Sequence, residues 1–139
     1  MLKVGDVLWQ PSQEWIEQTN IHAYRLWLKE TRDLEFDSLL ALRRWSVANL
    51  EDFWQSIWDY FKVEASTPPT GVFGRREMPG TEWFPGAKLN YAQHILRREK
   101  PGTEAMYFAN ESNPLKAVMW DEFAGNVRIL ATQLRKMGI

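Results

Sequence analysis

Residues Ala105–Ile139 pair a short β-hairpin with one long amphipathic helix, and that pairing constrains the fold more than anything else in the sequence. Ala105-Met106-Tyr107-Phe108-Ala109 has strand composition, Asn110 to Pro114 has turn composition, and Leu115 to Trp120 reads as the antiparallel return. Trp120, Phe123, Ala124, Val127, Leu130, Ala131, Leu134 and Met137 then recur at helical spacing, with Gly138 placed as the C-terminal cap. A lone hairpin is marginal in water unless further strands or helices cover it. The final helix has too few partners upstream to bury its stripe. The expectation is an α/β sheet whose remaining strands lie outside these residues, so the chain reads as part of a larger protein.

The preceding residues predict short helices. Pro11 is excluded from a helix interior and Ser12 can cap one, so a helix is expected over Ser12 to Arg32, broken near Thr19-Asn20. Ile16, Ile21, Tyr24, Trp27 and Leu28 share its apolar face. Asp37 is the expected cap of a short helix carrying Leu39, Leu40 and Leu42 up to Trp45. Asn49 opens the clearest helix of this half. Leu50, Phe53, Trp54, Ile57, Trp58 and Phe61 recur at i, i+3, i+4, i+7, i+8 and i+11, opposite a solvated face of Glu51, Asp52, Gln55 and Asp59. A stripe at this period predicts core packing rather than a ligand box.

Ala65 to Gly86 differs in kind. Pro68, Pro69, Gly71, Gly74, Pro79, Gly80, Pro85 and Gly86 punctuate it, predicting a long irregular crossing. Trp83-Phe84 argues against a free linker, because adjacent large rings anchor a loop on a neighbouring surface. Asn90 is the expected cap of a helix through Tyr91, Ile95 and Leu96 that ends near Arg97-Arg98 and Pro101.

Composition removes whole classes of function. With 17 basic and 18 acidic residues among 139, the net charge is -1, which argues against nucleic-acid or anionic-membrane binding. No apolar run approaches the roughly 20 residues of a membrane helix, and Met1 to Gln10 has no leader-like stretch. The absence of cysteine removes disulfides, thiol nucleophiles and thiolate metal sites, and suits a cytoplasmic protein. His22 and His94 stand far apart, and no paired-His spacing or Gly-rich phosphate loop occurs. No catalytic centre and no metal site is expected. The 8 Trp, 7 Phe and 4 Tyr are compatible with a stacking surface or with core rings; their helical spacing favours the second reading.

Several stretches resemble acetoacetyl-CoA synthetases, members of the adenylate-forming acyl-CoA synthetases. They are Leu8-Trp9-Gln10-Pro11-Ser12, Trp45-Ser46-Val47, Phe53-Trp54 with Trp58, and above all Trp83-Phe84-Pro85-Gly86-Ala87-Lys88-Leu89-Asn90-Tyr91-Ala92. Trp120-Asp121-Glu122-Phe123 through Leu134-Arg135-Lys136-Met137-Gly138-Ile139 is similar to the first helix of their large domain. The resemblance implies an α+β, mainly α chain: a Trp-rich helical N-terminal cap over residues 1–100, then the first β-hairpin and helix of an α/β adenylate-forming domain over 101–139. It also implies, for a complete enzyme, a two-step ligase. ATP (with Mg) and a short acid such as acetoacetate form an acyl-adenylate, which the CoA thiol attacks. The phosphate loop, ribose-binding Asp, hinge and catalytic Lys of such enzymes have no matching positions here, so this segment is expected to be structural, binding no cofactor by itself and partnering the remainder of the adenylate-forming domain. Family members often carry Ser or Thr where Met119 stands, forming a capping box with Glu122.

Individual residues carry alternatives. Trp83, Phe84, Lys88 and Asn90 either shape a CoA channel or staple the loop and cap a helix. Arg43-Arg44, Arg75-Arg76 and Arg97-Arg98 either attract CoA or ATP phosphates or are solvated; Arg75 and Arg76 are the best placed for CoA. His22 is expected to be a packed ring, His94 to face solvent, and Asp121-Glu122 to complement a helix dipole. A self-standing aromatic binding module and a regulatory docking fragment are the alternatives to the ligase reading.

Overall fold

The computed structural model describes Lys3 and residues 6–139, so part of the Met1–Gln10 stretch lies outside the described residues. The elements are α1 (Gln13–Glu17), α2 (Asn20–Arg32), α3 (Leu39–Ala48), α4 (Leu50–Tyr60), α5 (Tyr91–Leu96), β1 (Glu104–Asn110), β2 (Asn113–Met119) and α6 (Trp120–Lys136). They gather into two compact units: residues up to Val63 with Pro68–Ala87, and Glu64–Thr67 with Lys88–Ile139. The architecture is mainly helix with a small antiparallel sheet, as the sequence implies. Among the described residues no helix is long and apolar enough to cross a membrane.

In the first unit, hydroxyl caps set the helix starts. Ser12 Oγ accepts from the Trp15 amide at 3.2 Å. Thr19 joins α1 to α2: its hydroxyl donates to the Ile16 carbonyl at 2.7 Å and accepts from the His22 amide at 3.2 Å. The expected break therefore stands where it was placed. The cap of α3 is Ser38 rather than Asp37. Ser38 has the extended backbone of a cap residue, and its Oγ accepts from the Ala41 amide at 3.1 Å.

Tyr24, Leu28 and Leu42 form the buried centre, ringed by Trp27, Leu34, Phe36, Trp45, Phe53, Ile57 and Tyr60. The α4 stripe exists, but it is half-buried, and Phe61 at its end is exposed. The residue of α4 that is fully enclosed is Ser56, and Gln55, expected in solvent, is half-buried with its amide donating to Asp59 Oδ1 at 2.9 Å. The physical reason is that α4 divides its rings. Phe53, Ile57 and Tyr60 pack on the helical core, while Trp54 and Trp58 meet Trp83 and Phe84.

The expected irregular crossing is in large part a folded-back ribbon. The Thr70 amide donates to Pro85 O at 2.9 Å, Phe84 N to Val72 O at 2.8 Å, Gly74 N to Glu82 O at 3.1 Å and Glu82 N to Arg75 O at 2.8 Å. Val72 is the buried residue of this ribbon. Proline and glycine mark the bends but hide the pairing, because the paired stretches between them are too short to show alternation.

In the second unit, the Ser66 amide donates to Lys88 O at 2.8 Å and Lys88 N to Thr67 O at 3.0 Å. Asn90 caps α5, its Oδ1 accepting from Gln93 N at 3.0 Å. β1 and β2 pair antiparallel, with Met106 opposite Val118, Tyr107 opposite Ala117 and Phe108 opposite Lys116. Their turn is tighter than expected: Asn110 Oδ1 accepts from the Ser112 amide at 3.0 Å and the Asn113 side chain at 2.8 Å, so Pro114 falls inside β2. A two-stranded sheet leaves one side of β2 without a partner strand, and proline is tolerated there. Ala124 is buried, but Ile129, Leu130 and Met137 of the α6 region are exposed. Gly138, at φ +85°, ends the helix as read from sequence.

Candidate functional site

The aromatic residues were the first candidates for a binding surface, and the structure turns them toward one another. All 8 tryptophans lie within ring-packing distance of another aromatic side chain, at centroid separations of 4.6 to 6.2 Å. Trp83 meets Trp54 edge-on at 5.2 Å and Phe73 at 4.6 Å; Phe84 meets Trp58 at 4.6 Å. These contacts clamp the ribbon onto α4, as expected of an anchoring pair. Phe84 holds φ +47°, a rare conformation for a bulky residue, which its ring contact and its amide bond to Val72 O maintain.

The arginine doublets do not converge. Arg43 and Arg44 are exposed on α3. Arg76 lies over the Phe73 ring at 5.4 Å, and Arg75 Nε faces Glu77 at 3.7 Å while its backbone amide donates to Glu82 Oε2 at 3.0 Å. Glu77 thus accompanies the Arg75 guanidinium, while Glu82 is engaged by the Arg75 backbone. The Lys88 side chain is exposed, and Asn90 is occupied as a cap.

His22 is half-buried on α2 in the first unit, whereas His94 belongs to the second. His94 does not simply face solvent. It is half-buried, with Nδ1 3.3 Å from the Glu64 amide and Nε2 3.1 Å from an Arg97 nitrogen, and Arg97 also approaches Glu64 at 3.8 Å. A neutral imidazole accepts at one nitrogen, so it answers only one of these two donors at a time. Asp121, in the first turn of α6, accepts from the Gly102 amide at 2.8 Å and so adds a tie to its dipole role. Met119 caps α6 without a side-chain hydrogen bond.

Two features were not foreseen. One is the buried Tyr24–Ser56 hydroxyl pair at 2.6 Å, where burial pushes the tyrosine up from its usual value despite the Ser56 hydrogen bond. The other is a partly open recess of about 590 Å³ lined by Glu64, Ala65, Ser66, Leu89, Asn90 and Gln93. Its Ser66 hydroxyl already donates to Lys88 O at 3.2 Å. Neither has a signal in the sequence, since both depend on residues brought together from distant segments.

Among the described residues no group of three or more His, Asp and Glu side chains is arranged to hold a metal. Arg75 faces Glu77, and Arg76 and Arg32 lie over the rings of Phe73 and Trp27.

Comparison with known proteins gives one consistent answer. Residues 39–95 match the family model described as acetyl-coenzyme A synthetase N-terminus. The chain is 30% identical to the acetoacetyl-coenzyme A synthetase of Rhizobium meliloti over 132 residues, 95% of this chain and 20% of that protein. It is 23% identical to the malonamoyl-CoA synthetase vrtB of Penicillium aethiopicum over 141 aligned positions, 19% of that protein. Among solved structures, acetoacetyl-CoA synthetase from Streptomyces lividans superposes with a TM-score of 0.81 at 39% identity, covering 94% of this chain and 21% of that one. The chain therefore spans about one fifth of the length of the curated relatives it matches. In sequence and in fold, the chain is similar to the N-terminal portion of acetoacetyl-CoA synthetases.

Proposed function

We propose that these residues serve as the structural N-terminal part of an acetoacetyl-CoA synthetase-like ligase of the cytoplasm. Residues 1–100 form its helical segment, and 101–139 open the adenylating domain. The reaction of the complete ligase joins acetoacetate to CoA with conversion of ATP to AMP and pyrophosphate, and the residues described here contribute no reacting group to it. The observation that carries this reading is the near end-to-end superposition on the Streptomyces lividans enzyme over 94% of this chain. Two features support the structural role: Trp54 and Trp58 pack against Trp83 and Phe84, and the exposed Ile129, Leu130 and Met137 offer apolar area to the remainder of the adenylating domain.

A chimera tests it. Residues 1–139 replace the matching portion of the Streptomyces lividans enzyme, and pyrophosphate release is followed with acetoacetate, magnesium-ATP and CoA. The chimera is expected to be active and the 139-residue chain alone inactive. A folded but inactive chimera overturns the assignment to this ligase; pyrophosphate release by the chain alone overturns the structural role.

A further inference from the structure

Among the described residues, the 64–67 segment is tied within the second unit in two ways. Its far end is held by groups that do not titrate. The Ser66 amide donates to Lys88 O at 2.8 Å, the Ser66 hydroxyl donates to the same oxygen at 3.2 Å, and Lys88 N donates to Thr67 O at 3.0 Å. Its near end is held by a group that does: the Glu64 amide donates to His94 Nδ1 at 3.3 Å.

Both ring nitrogens of His94 face donors. Nδ1 meets the Glu64 amide, and Nε2 lies 3.1 Å from Arg97 Nη2 at the C-cap of α5. A neutral imidazole has one lone pair to give, whichever tautomer it holds. An imidazolium has none. Protonation therefore sets N–H against N–H at Nδ1 and positive charge against positive charge at Nε2. The charged groups described around the ring are Arg97 on its own element and Glu64 on the segment. The Glu64 carboxylate approaches Arg97 Nη1 at 3.8 Å and is about half exposed, a loose contact that leaves it able to accept from an imidazolium. Imidazoles change charge within about pH 5 to 8, so this cluster can switch under mild conditions. Glu64, Ala65 and Ser66 form one wall of the 590 Å³ recess, which makes that wall the part that responds.

We propose that His94 is a proton-operated latch on the 64–67 segment: neutral, it holds the Glu64 amide; protonated, it exchanges that amide for the Glu64 carboxylate and frees the near end of the segment. The latch stands apart from the ligase reading, and its test involves no enzymatic activity.

Amide exchange of the 139-residue chain tests it, followed residue by residue by NMR and corrected for the intrinsic rate at each pH. The Glu64 amide is expected to lose protection about tenfold between about pH 8 and pH 5. Half of that loss should coincide with the titration of the His94 ring signals, while the Ser66 and Lys88 amides keep their protection. His94→Asn sets a side-chain oxygen near the Nδ1 position, an acceptor that does not titrate, and should hold the Glu64 amide at both pH values. His94→Phe should leave it unprotected at both. Glu64→Gln removes the carboxylate but keeps the amide, and should move the half-loss to lower pH. If the chain alone does not keep its fold, exchange mass spectrometry of the peptide spanning 64–67 in the Streptomyces lividans chimera gives the same reading. Equal Glu64 protection at both pH values overturns the proposal, as does a loss that persists in His94→Asn or protection that survives in His94→Phe. A parallel loss at Ser66 and Lys88 marks general acid unfolding and overturns it equally. An unmoved midpoint in Glu64→Gln overturns the exchange of partners.

Discussion

Ser56→Ala removes a hydroxyl that takes part in two hydrogen bonds, from the most enclosed polar side chain described in the first unit. Ser56 is 0% exposed and Tyr24 5%. The Ser56 hydroxyl lies 2.6 Å from the Phe53 carbonyl and 2.6 Å from the Tyr24 oxygen. A serine has one proton to give and the carbonyl has none, so Ser56 donates to Phe53 and Tyr24 must donate to Ser56. Truncation therefore leaves the phenol proton without an acceptor in a site closed to water, at a cost of about 1–3 kcal/mol. Better helix propensity of alanine returns a few tenths. Tyr24→Phe is milder, about 0.5–1.5 kcal/mol, because Ser56 keeps its bond to Phe53. With Tyr24→Phe already present, Ser56→Ala no longer strands a buried donor, and the double variant should cost little more than Tyr24→Phe. The resulting coupling, on the order of 1 kcal/mol, is read from urea unfolding of the four chains in a double-mutant cycle. Additive single effects, or a Ser56→Ala loss smaller than that of Tyr24→Phe, refute the assigned donor direction.

Burial holds the Tyr24 phenol above its usual value of 10, so the folded chain keeps this proton longer than the unfolded one. Stability is then fully present below about pH 10 and falls as pH rises through the folded value; Tyr24→Phe should flatten that fall in alkaline unfolding curves. Met119→Thr gives α6 the side-chain cap it lacks, in register with Glu122, and should raise stability by about 1 kcal/mol in thermal melts. Gly74→Ala brings a methyl group to 2.4 Å from Glu82 Oε2 and 3.2 Å from its Cβ, so Glu82 must release the Arg75 amide, for an expected loss of about 1 kcal/mol. Alanine at both Arg75 and Arg76 should leave the apparent KM for CoA of the chimera unchanged, since these side chains face Glu77 and Phe73; a several-fold rise would return them to the CoA site.

What could be read along the chain was whatever depends on neighbours a few residues apart. The caps at Ser12, Thr19 and Asn90, the α4 and α6 stripes, and the Gly138 stop all follow from local spacing, and each is where the residues imply. The misplacements have two origins, one local and one long-range. Ser38 displaced Asp37 because two capable caps stand side by side and the backbone's turn into the helix selects one. His94 left solvent because a segment 30 residues upstream donates to it. The 70–85 ribbon escaped notice for the same reason, since Thr70 pairs with Pro85, 15 positions further along the chain.

Residue order alone thus determined most of the helices, the hairpin and the likeness to acetoacetyl-CoA synthetases, because periodicity, capping chemistry and motif identity are local properties that survive without coordinates. Three-dimensional packing settled how the rings are shared out: α4 was visibly apolar, yet whether Trp54 and Trp58 would face a ligand or Trp83 and Phe84 depended on where a distant ribbon came to rest. Long-range contacts are chosen by the shape and area of surfaces formed from several segments at once, and no single segment encodes that choice.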